Sequence, residues 1–459
     1  MLVRFFCAVL FCLNIFIPSL LRADTIFVKN IIIEGNKITK ENIIARELSF
    51  KINDTINSDS ILITKTSEAK KNLLNTSLFN FVDINIEKLS ESDVNIRIKV
   101  TERWYLWPYP IFEFADRNFN VWWDSKALSR TNYGVQLVLE NFRGRKETFK
   151  FLFKHGFDQL YGISYTKPYI NKKQTIGISF ATSYTLNHEI NYKSFDNKTI
   201  YLKDNDKYLE TKIDASIGLT IRPNIKLSHS FRYDYGYISI NDTILKLNDN
   251  YLLNAESDQT FNAIDYLIKY DARDFKAYPL NGYYFDSEYN LKLINSNFYN
   301  QLMINFRKYI PLSKKIFIAS GVSLKADDNN AYLYNKGLGY KRDYVRGYEY
   351  YVIEGNKYFL IKANLKYCLL KKNEGHISFI KNEKFGKYHY AVYFNLFADI
   401  AYIYDKNNLL KNNVMANRLL NGNGFGIDFV TYYDKVFRFE YSINHKNEKA
   451  FFIHFMTSI

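Results

Sequence analysis

The stretch that decides the fold lies in a long loop between two segments of alternating apolar and polar residues: Lys341-Arg342-Asp343-Tyr344-Val345-Arg346-Gly347-Tyr348. The guanidinium group of Arg346 is permanently charged and carries several hydrogen-bond donors in one plane. It therefore needs a carboxylate partner if it is held away from bulk water. Gly347 lets the backbone turn where a side chain would clash. The stretch therefore predicts a loop that is folded inward and held by an ion pair.

The candidate carboxylate is further along the chain, in the stretch Phe397-Ala398-Asp399-Ile400-Ala401. One face of the strand predicted at residues 388–402 is compatible with lipid and carries Val392, Phe394, Leu396, Ala398, Ile400 and Tyr402. Asp399 falls on the opposite face with Phe397 and Ala401, because successive side chains of a strand alternate. We expect Asp399 to point inward and meet Arg346, a pair that fixes one conformation more than it adds stability.

The remaining residues from 104 to 459 repeat the alternating pattern, which predicts a transmembrane β-barrel of about 16 antiparallel strands. The predicted strands start near Tyr109, Thr131, Lys146, Gln159, Thr175, Leu209, Asn224, Ala263, Asn281, Phe298, Ile316, Lys357, Tyr388, Asn423, Lys435 and Lys449. A soluble sandwich would alternate in the same way. The connections favour the barrel, because tight turns at 142–145, 222–224 and 433–435 contrast with long polar loops at 188–208, 239–262, 327–355 and 405–422.

Composition agrees with this interpretation. The chain of 459 residues is 47% hydrophobic and 17% aromatic. Past the N-terminus it lacks the run of about 18 apolar residues that a membrane helix needs. Residues 1–23 have the pattern of a secretory signal peptide, with Arg4 before an apolar centre and a cleavage site near Ala23; a membrane anchor is the alternative. The mature chain then keeps only Cys368, which excludes a disulfide framework.

The four tryptophans bracket one short segment at the start of the predicted barrel: Trp104, Trp107, Trp122 and Trp123. Tryptophan favours the membrane–water boundary, where its ring is in an apolar environment and its N–H stays hydrated. The gap between the second and third is long enough for one tilted membrane strand of about 9 to 11 residues. We therefore expect these residues to form an interface belt.

Residues 24–103 form a separate pattern, predicted as β-α-α-β-β. An apolar run ends at the turn signal Gly35-Asn36. Thr39 is a candidate cap for a first helix, and Asp59 or Ser60 is a candidate start for a second. Two alternating segments follow, at 82–86 and 94–100. The order predicts a small α+β domain with a modest core.

This order resembles a POTRA domain, the periplasmic module of the outer-membrane assembly superfamily that contains BamA, TamA and the two-partner secretion transporters. The likeness rests on Gly35 and Asn36, then on Leu78, Phe79 and Val82, and on the closing Glu102. Val345-Arg346-Gly347-Tyr348 is similar to the loop motif of that superfamily, and Phe397-x-Asp399-x-Ala401 to its strand motif, with Ala401 where the family has glycine. We call these seven loop and strand residues the lumen-loop lock.

The resemblance implies an outer-membrane factor that inserts or translocates polypeptides, with the POTRA-like domain in the periplasm. The implied partners are unfolded outer-membrane or secreted polypeptides, outer-membrane lipids and accessory lipoproteins. It also implies a weak seam between the first and last strands; Pro108 and Pro110 lie near that seam or in the linker before it. Family barrels usually end in an aromatic residue, whereas this chain ends in Ile459. A dedicated secretion transporter and a passive channel are the alternatives.

Other function classes are not supported by the residues. The net charge of +15 is spread along the chain without a nucleic-acid-binding motif, which argues against a nucleic-acid partner. His188-Glu189 opens like a zinc-protease motif, but Tyr192 stands where the second histidine ligand would be. No nucleophile elbow or phosphate-binding loop occurs. The sequence predicts no enzyme, no cofactor and no metal.

Overall fold

The computed structural model describes residues 25–114, 131–340, 343–406, 412–431 and 433–455. The predicted signal peptide, the tryptophans at 122 and 123 and the terminal Ile459 lie outside these residues. Within them, no helix is long and apolar enough to span a membrane.

The small domain is a four-stranded sheet with two helices. Its elements are β1 (Ile26–Glu34), α1 (Glu41–Ala45), β2 (Thr55–Ile56), α2 (Asp59–Leu74), β3 (Phe79–Lys88) and β4 (Asp93–Glu102). The strand order is β2-β1-β4-β3, with β1 parallel to β4 and the other pairs antiparallel. The predicted β-α-α-β-β order is confirmed, with the two-residue β2 as an addition too short for a periodic pattern to reveal.

One predicted helix cap is wrong. Lys40, not Thr39, is the N-cap of α1, and no side chain caps that helix. Thr39 is buried instead, and its hydroxyl donates to Glu102 Oε1 at 2.7 Å, since a nearby carboxylate is a stronger acceptor than the competing groups of the turn. Helix α2 starts as predicted, and Ser58 caps it by accepting a hydrogen bond from the Ile61 N–H.

The large domain is a 16-stranded antiparallel sheet in which barrel neighbours follow each other along the chain. Its strands are β5 (Leu106–Phe114), β6 (Thr131–Phe142), β7 (Glu147–Gly156), β8 (Gln159–Lys167), β9 (Ile176–Asn187), β12 (Glu210–Ile221), β13 (Leu227–Ile240), β14 (Asp258–Asp271), β15 (Gly282–Ile294), β16 (Asn297–Pro311), β17 (Ile316–Asp327), β20 (Lys357–His376), β21 (Lys387–Tyr404), β22 (Leu419–Thr431), β23 (Val436–Asn444) and β24 (Lys449–Phe455). The predicted count is confirmed. The largest error in a strand start is at β14, which begins at Asp258 rather than Ala263.

The connections carry the remaining elements. They are the hairpin β10 (Glu189–Phe195) and β11 (Lys198–Lys203), helix α3 (Asp242–Leu247), the short pair β18 (Lys336–Leu338) and β19 (Ile353–Glu354), and helix α4 (Glu383–Gly386). The tip of the β10–β11 hairpin lies at the end of the barrel far from the small domain. Asn197 at this tip is fully buried, donates to Asn413 Oδ1 at 2.7 Å and accepts from the Met415 N–H at 3.0 Å. The far end is therefore partly covered by loops that bind one another.

The alternating faces of the barrel match the predicted parity. On β21, Leu396 and Ile400 are 47% and 41% exposed, whereas Asp399 is fully buried. The same split recurs on β12, where Ile217 is 61% exposed. An outer apolar face and an inner polar face are what a bilayer-spanning barrel requires.

Strands β5 and β24 lie at the two ends of the strand order, and no ladder pairs them within the part of the chain that the structure describes. Pro108 and Pro110 lie inside β5, opposite Leu137 and Val135 of β6. Of the two placements that the sequence left open, the structure therefore shows the prolines in the first strand rather than in a linker below it.

The small domain contacts the turns at the near end of the barrel. Glu47 is buried and accepts from Arg222 at 2.7 and 3.1 Å, in the turn between β12 and β13. Burial alone would raise the pKa of Glu47, but the positive charges of Lys146 and Arg222 outweigh it and lower this pKa to about 2. The carboxylate is therefore held ionised by barrel residues.

Further barrel turns also contact the small domain. The Lys40 N–H donates to the Gly144 carbonyl at 2.9 Å. Asn75 accepts from the Lys276 N–H at 2.9 Å. Arg103 donates to both oxygens of Asp434 at 2.7 and 3.0 Å. Contacts on several separate turns set both the position and the rotation of the small domain against the barrel.

Candidate functional site in the barrel lumen

The site is built on the interior loop, residues 328–356, which joins β17 to β20 and lies against the inner face of β20 to β24. Its apolar part is a buried cluster in which Val345 and Tyr348 pack with Ala401 and Leu420. Ala401 is fully buried there, so the alanine that replaces the family's glycine fits under the loop. This packing places Arg346 between two apolar anchors.

Arg346 and Asp399 meet as the sequence predicted. Both are buried, at 1% and 0% exposure. The guanidinium donates from Nε to Oδ2 at 2.9 Å and from Nη2 to Oδ1 at 2.5 Å, and the Arg346 backbone N–H also donates to Oδ2 at 3.0 Å. This bidentate geometry uses both carboxylate oxygens, which makes the contact specific for arginine.

Two partners of Arg346 were not predicted. Asn364 on β20 accepts from Nη1 at 2.6 Å, and Glu440 on β23 lies 3.5 Å from the same nitrogen. The guanidinium also lies 4.0 Å from the centre of the Phe397 ring. The alternation of side chains along a strand places Asn364 and Glu440 on the inner face, so it could have identified them as candidate partners of Arg346. It could not select them from the many other polar residues of the inner face.

Gly347 and Tyr348 fix the loop to the last strands. Gly347 has φ +89°, a conformation that glycine adopts without strain, and its carbonyl accepts from Asn444 Nδ2 at 3.0 Å. The Tyr348 hydroxyl donates to the Asn421 carbonyl at 3.0 Å and hydrogen-bonds to the ring of His445. All seven predicted residues of the lumen-loop lock thus lie in one place.

Gly422 on β22 passes closest to the loop. A Cβ added at this position would lie 1.8 Å from the Arg346 carbonyl oxygen and 3.4 Å from a Val345 methyl group. Only glycine fits this approach, because the clashing carbonyl belongs to Arg346, whose side chain and backbone N–H are held by buried contacts. Sequence reasoning missed this residue, since a glycine in a strand is a common signal without a named partner.

A second buried ionic cluster lies nearer the small domain. Asp428 on β22 accepts from Arg438 at 2.7 and 3.1 Å and from Asn395 at 3.0 Å. Its third partner is Tyr278, in the turn between β14 and β15, whose hydroxyl donates at 2.7 Å. Burial, together with the charge of Asp428, raises the pKa of Tyr278 well above its usual value, so this hydroxyl keeps its proton. The turn therefore reaches across the lumen to the opposite wall.

Glu440 connects the two clusters. Its Oε1 lies 3.5 Å from Arg346 Nη1 and 3.7 Å from Arg438 Nε. A continuous series of ion pairs therefore connects Asp399 through Glu440 to Asp428, and a hydrogen bond continues it to Tyr278. The turn that carries Tyr278 also contacts Asn75 of the small domain through Lys276.

The predicted POTRA residues lie together beneath the barrel. Gly35 and Asn36 follow β1, and Asn36 donates to the Thr39 carbonyl at 3.1 Å. Glu102 accepts from the backbone N–H groups of Ile38 and Thr39. The other three residues are in the domain core: Leu78, Phe79 and Val82.

The two described tryptophans stand at the near end of β5. Trp104 is 38% exposed and packs against Phe385, with ring centres 5.7 Å apart. Trp107 meets the ring of Tyr433 edge-on at 5.3 Å. The interface belt that includes them stays a prediction.

This architecture matches a known protein family. A family model described as the Omp85 superfamily domain matches residues 141–428. The chain belongs to the Omp85 superfamily. A second model, a POTRA family described as surface antigen variable number repeat, matches residues 26–103 of this Omp85 protein. The predicted resemblance, a transmembrane barrel with a single POTRA domain, is confirmed.

Solved structures share the fold of this Omp85 chain. BamA from Haemophilus ducreyi lacking POTRA domains 1–3 matches with a TM-score of 0.50 at 15% identity, covering 94% of this chain and 84% of that one. CdiB from Escherichia coli matches with a TM-score of 0.54 at 11% identity, covering 94% and 75%. CdiB from Acinetobacter baumannii gives 0.50 at 11%, covering 94% and 73%. Among curated proteins, no sequence matches.

Proposed function

We propose that this Omp85 protein inserts or translocates polypeptides at the bacterial outer membrane, with its POTRA domain in the periplasm. The observation that carries the proposal is the combination of one docked POTRA domain with a lumen loop bound to the strands next to the end of the sheet. Unfolded outer-membrane or secreted polypeptides are the proposed clients. Outer-membrane lipids and accessory lipoproteins are the further proposed partners.

Two edges could receive a client strand. In the POTRA sheet, β2 pairs with only Ile26 and Phe27 of β1, which leaves the rest of that side of β1 without a strand partner among the described residues. In the barrel, β5 and β24 end the strand order. Strand addition at such edges gives affinity through backbone hydrogen bonds whatever the client's sequence. This property suits a protein that handles many clients.

A dedicated secretion transporter is the second candidate. It is favoured by the single POTRA domain, since one small domain offers fewer client edges than several. A passive channel is less well supported, because loops that meet at Asn197 partly cover the far end and the small domain lies against the near end.

The test is depletion of the protein in its own bacterium, followed by quantification of every other outer-membrane barrel and surface protein. We expect a broad loss of barrels if it is a general insertase. Loss of one surface or secreted protein would instead identify a dedicated transporter. An unchanged outer membrane would contradict both candidates and favour the channel. Re-expression from a second copy is the control for indirect effects.

A further inference from the structure

We propose that the lumen holds a divalent transition-metal ion, of the Zn²⁺ class, between Glu349, Glu440 and His454. Glu349 is on the interior loop, Glu440 on β23 and His454 on the last strand, β24. One oxygen from each glutamate and a nitrogen of His454 lie within 4.8 Å of one another. The site adjoins the lumen-loop lock, because Glu440 contacts Arg346 through its other carboxylate oxygen.

The distances suit a shared metal better than direct contact. His454 Nε2 lies 3.5 Å from Glu440 Oε2 and 3.6 Å from Glu349 Oε1. A charge-assisted hydrogen bond would draw these atoms to about 2.7–2.9 Å. Tetrahedral ligands held at about 2.0–2.2 Å from zinc are separated by roughly 3.4 Å from one another. The two separations from His454 Nε2 are close to that value.

Each ligand atom is buried and accepts or donates no hydrogen bond among the residues that the structure describes: Glu349 Oε1, Glu440 Oε2 and His454 Nε2. Glu440 is only 1% exposed, so its unpaired oxygen is costly unless a cation binds it. A buried, unpartnered carboxylate oxygen that points at an unpartnered imidazole nitrogen is an independent indication of a missing ligand.

The neighbouring groups orient these atoms. The Gly347 N–H donates to Glu349 Oε2 at 2.7 Å, which leaves Oε1 turned toward the site. Arg346 and Arg438 form their ion pairs with Oε1 of Glu440 rather than with Oε2. Each arginine also has an aspartate of its own, so neither depends on Glu440 for neutralisation.

The donor set determines the class of ion. One imidazole nitrogen with two carboxylate oxygens favours zinc over magnesium, which prefers octahedral oxygen ligands. Three protein ligands leave a fourth position for water. The Glu349 and His454 side chains are 12% and 14% exposed, so the ion has a path of entry from the lumen. A bound ion would tie the interior loop to the last two strands.

The experiment uses the full-length barrel without a histidine tag, purified in detergent and stripped with a chelator. Zn²⁺ binding is then titrated against a chromophoric chelator, and bound metal is counted by mass spectrometry. We expect one Zn²⁺ per chain, and no displacement by Mg²⁺. Substituting His454→Ala should weaken binding by at least about tenfold, the lower limit of what even an outer-shell change costs. His376→Ala removes an exposed histidine and should leave binding unchanged.

Glu349→Gln provides a second variant in case loss of His454 perturbs folding, because it keeps the shape of the loop side chain. Heat-modifiable gel mobility shows whether each variant is a folded barrel. Folded wild type that binds no Zn²⁺ would overturn the proposal. Equal binding by wild type and both site variants would overturn it as well.

Discussion

At the scale of single residues, Arg346 shows why a buried charge is sensitive to its partner. Arg346→Ala would leave Asp399 fully buried, with Lys362, at 3.9 Å, as its remaining ion-pair partner among the described residues. Breaking such a pair costs about 3–5 kcal/mol. We expect a barrel that still folds but has low activity in client assembly, measured by rescue of a depleted strain. Arg97→Ala, which removes ion pairs to Glu34 and Glu87 at the surface of the small domain, is the control and should rescue fully. Full rescue by Arg346→Ala would contradict the assigned role.

Gly422 tests the same contact from the opposite side. Gly422→Ala places a methyl group 1.8 Å from the Arg346 carbonyl oxygen, so the loop or the strand must move. Overpacking of this kind costs about 1–3 kcal/mol. We expect a lower urea midpoint for unfolding in detergent. Gly162→Ala on β8 is the matched control, since its added Cβ finds only ordinary contacts from 3.6 Å outward. Equal midpoints for the two variants would show that the loop is loosely held.

At the scale of elements, the turn between β14 and β15 crosses the lumen and contacts the opposite wall through Tyr278. Tyr278→Phe keeps the ring and its contact with Lys366, whose Nζ lies 4.1 Å from the ring centre, and removes only the hydrogen bond to Asp428. A hydrogen bond to a charged group contributes about 1.5–3 kcal/mol. We expect faster hydrogen exchange in residues 272–281 with little change in β22. Unchanged exchange in the turn would mean that Arg438 and Asn395 hold Asp428 without it.

The strands were the part of the fold most open to prediction. A period of two residues identifies a strand and its inner face, which is why Asp399 and its outward neighbours were placed correctly. Contacts between distant strands do not appear in any local pattern. Asn364, Glu440 and Gly422 contact the interior loop only because the barrel curves, and a single sequence contains no record of that curvature.

At the scale of the whole molecule, Glu47 makes the docking of the small domain sensitive to acid. Its pKa is about 2 when docked, against an ordinary value of 4.5. A lowered pKa stabilises the form that stays ionised, so the contribution is present above about pH 4.5 and is lost as the pH falls toward about 2. Its size is about 3 kcal/mol. We expect protease protection of the small domain to fall across this pH range.

Arg222→Ala separates this effect from general acid unfolding. The variant should lose protection already at neutral pH and show a weaker dependence on acid, because Glu47 then lacks its main partner. Arg143→Ala removes a side chain that bonds to Glu147 and Tyr165 of the barrel, so this variant should behave as wild type. A variant with the wild-type pH profile would show that the remaining turns are sufficient for docking.

The docked arrangement also marks the limit of sequence-based prediction for the molecule as a whole. The two domains and their order were predictable, because each has its own periodicity and turn signals. Their relative position depends on single residues in several turns, such as Arg222 and Asp434, which resemble ordinary charged turn residues.

The interior loop also has a consequence for the order of folding. Arg346 is separated from Asp399 by 53 residues, and Tyr348 from His445 by 97, so the loop's partners are synthesised well after the loop itself. Contacts of such long range are slow to form, because chain entropy must be lost before they contribute. The loop can therefore reach its final position only after β21 to β23 have joined the sheet. Burial of Arg346 is a late event in biogenesis, and it distinguishes a finished barrel from one still lacking its C-terminal strands.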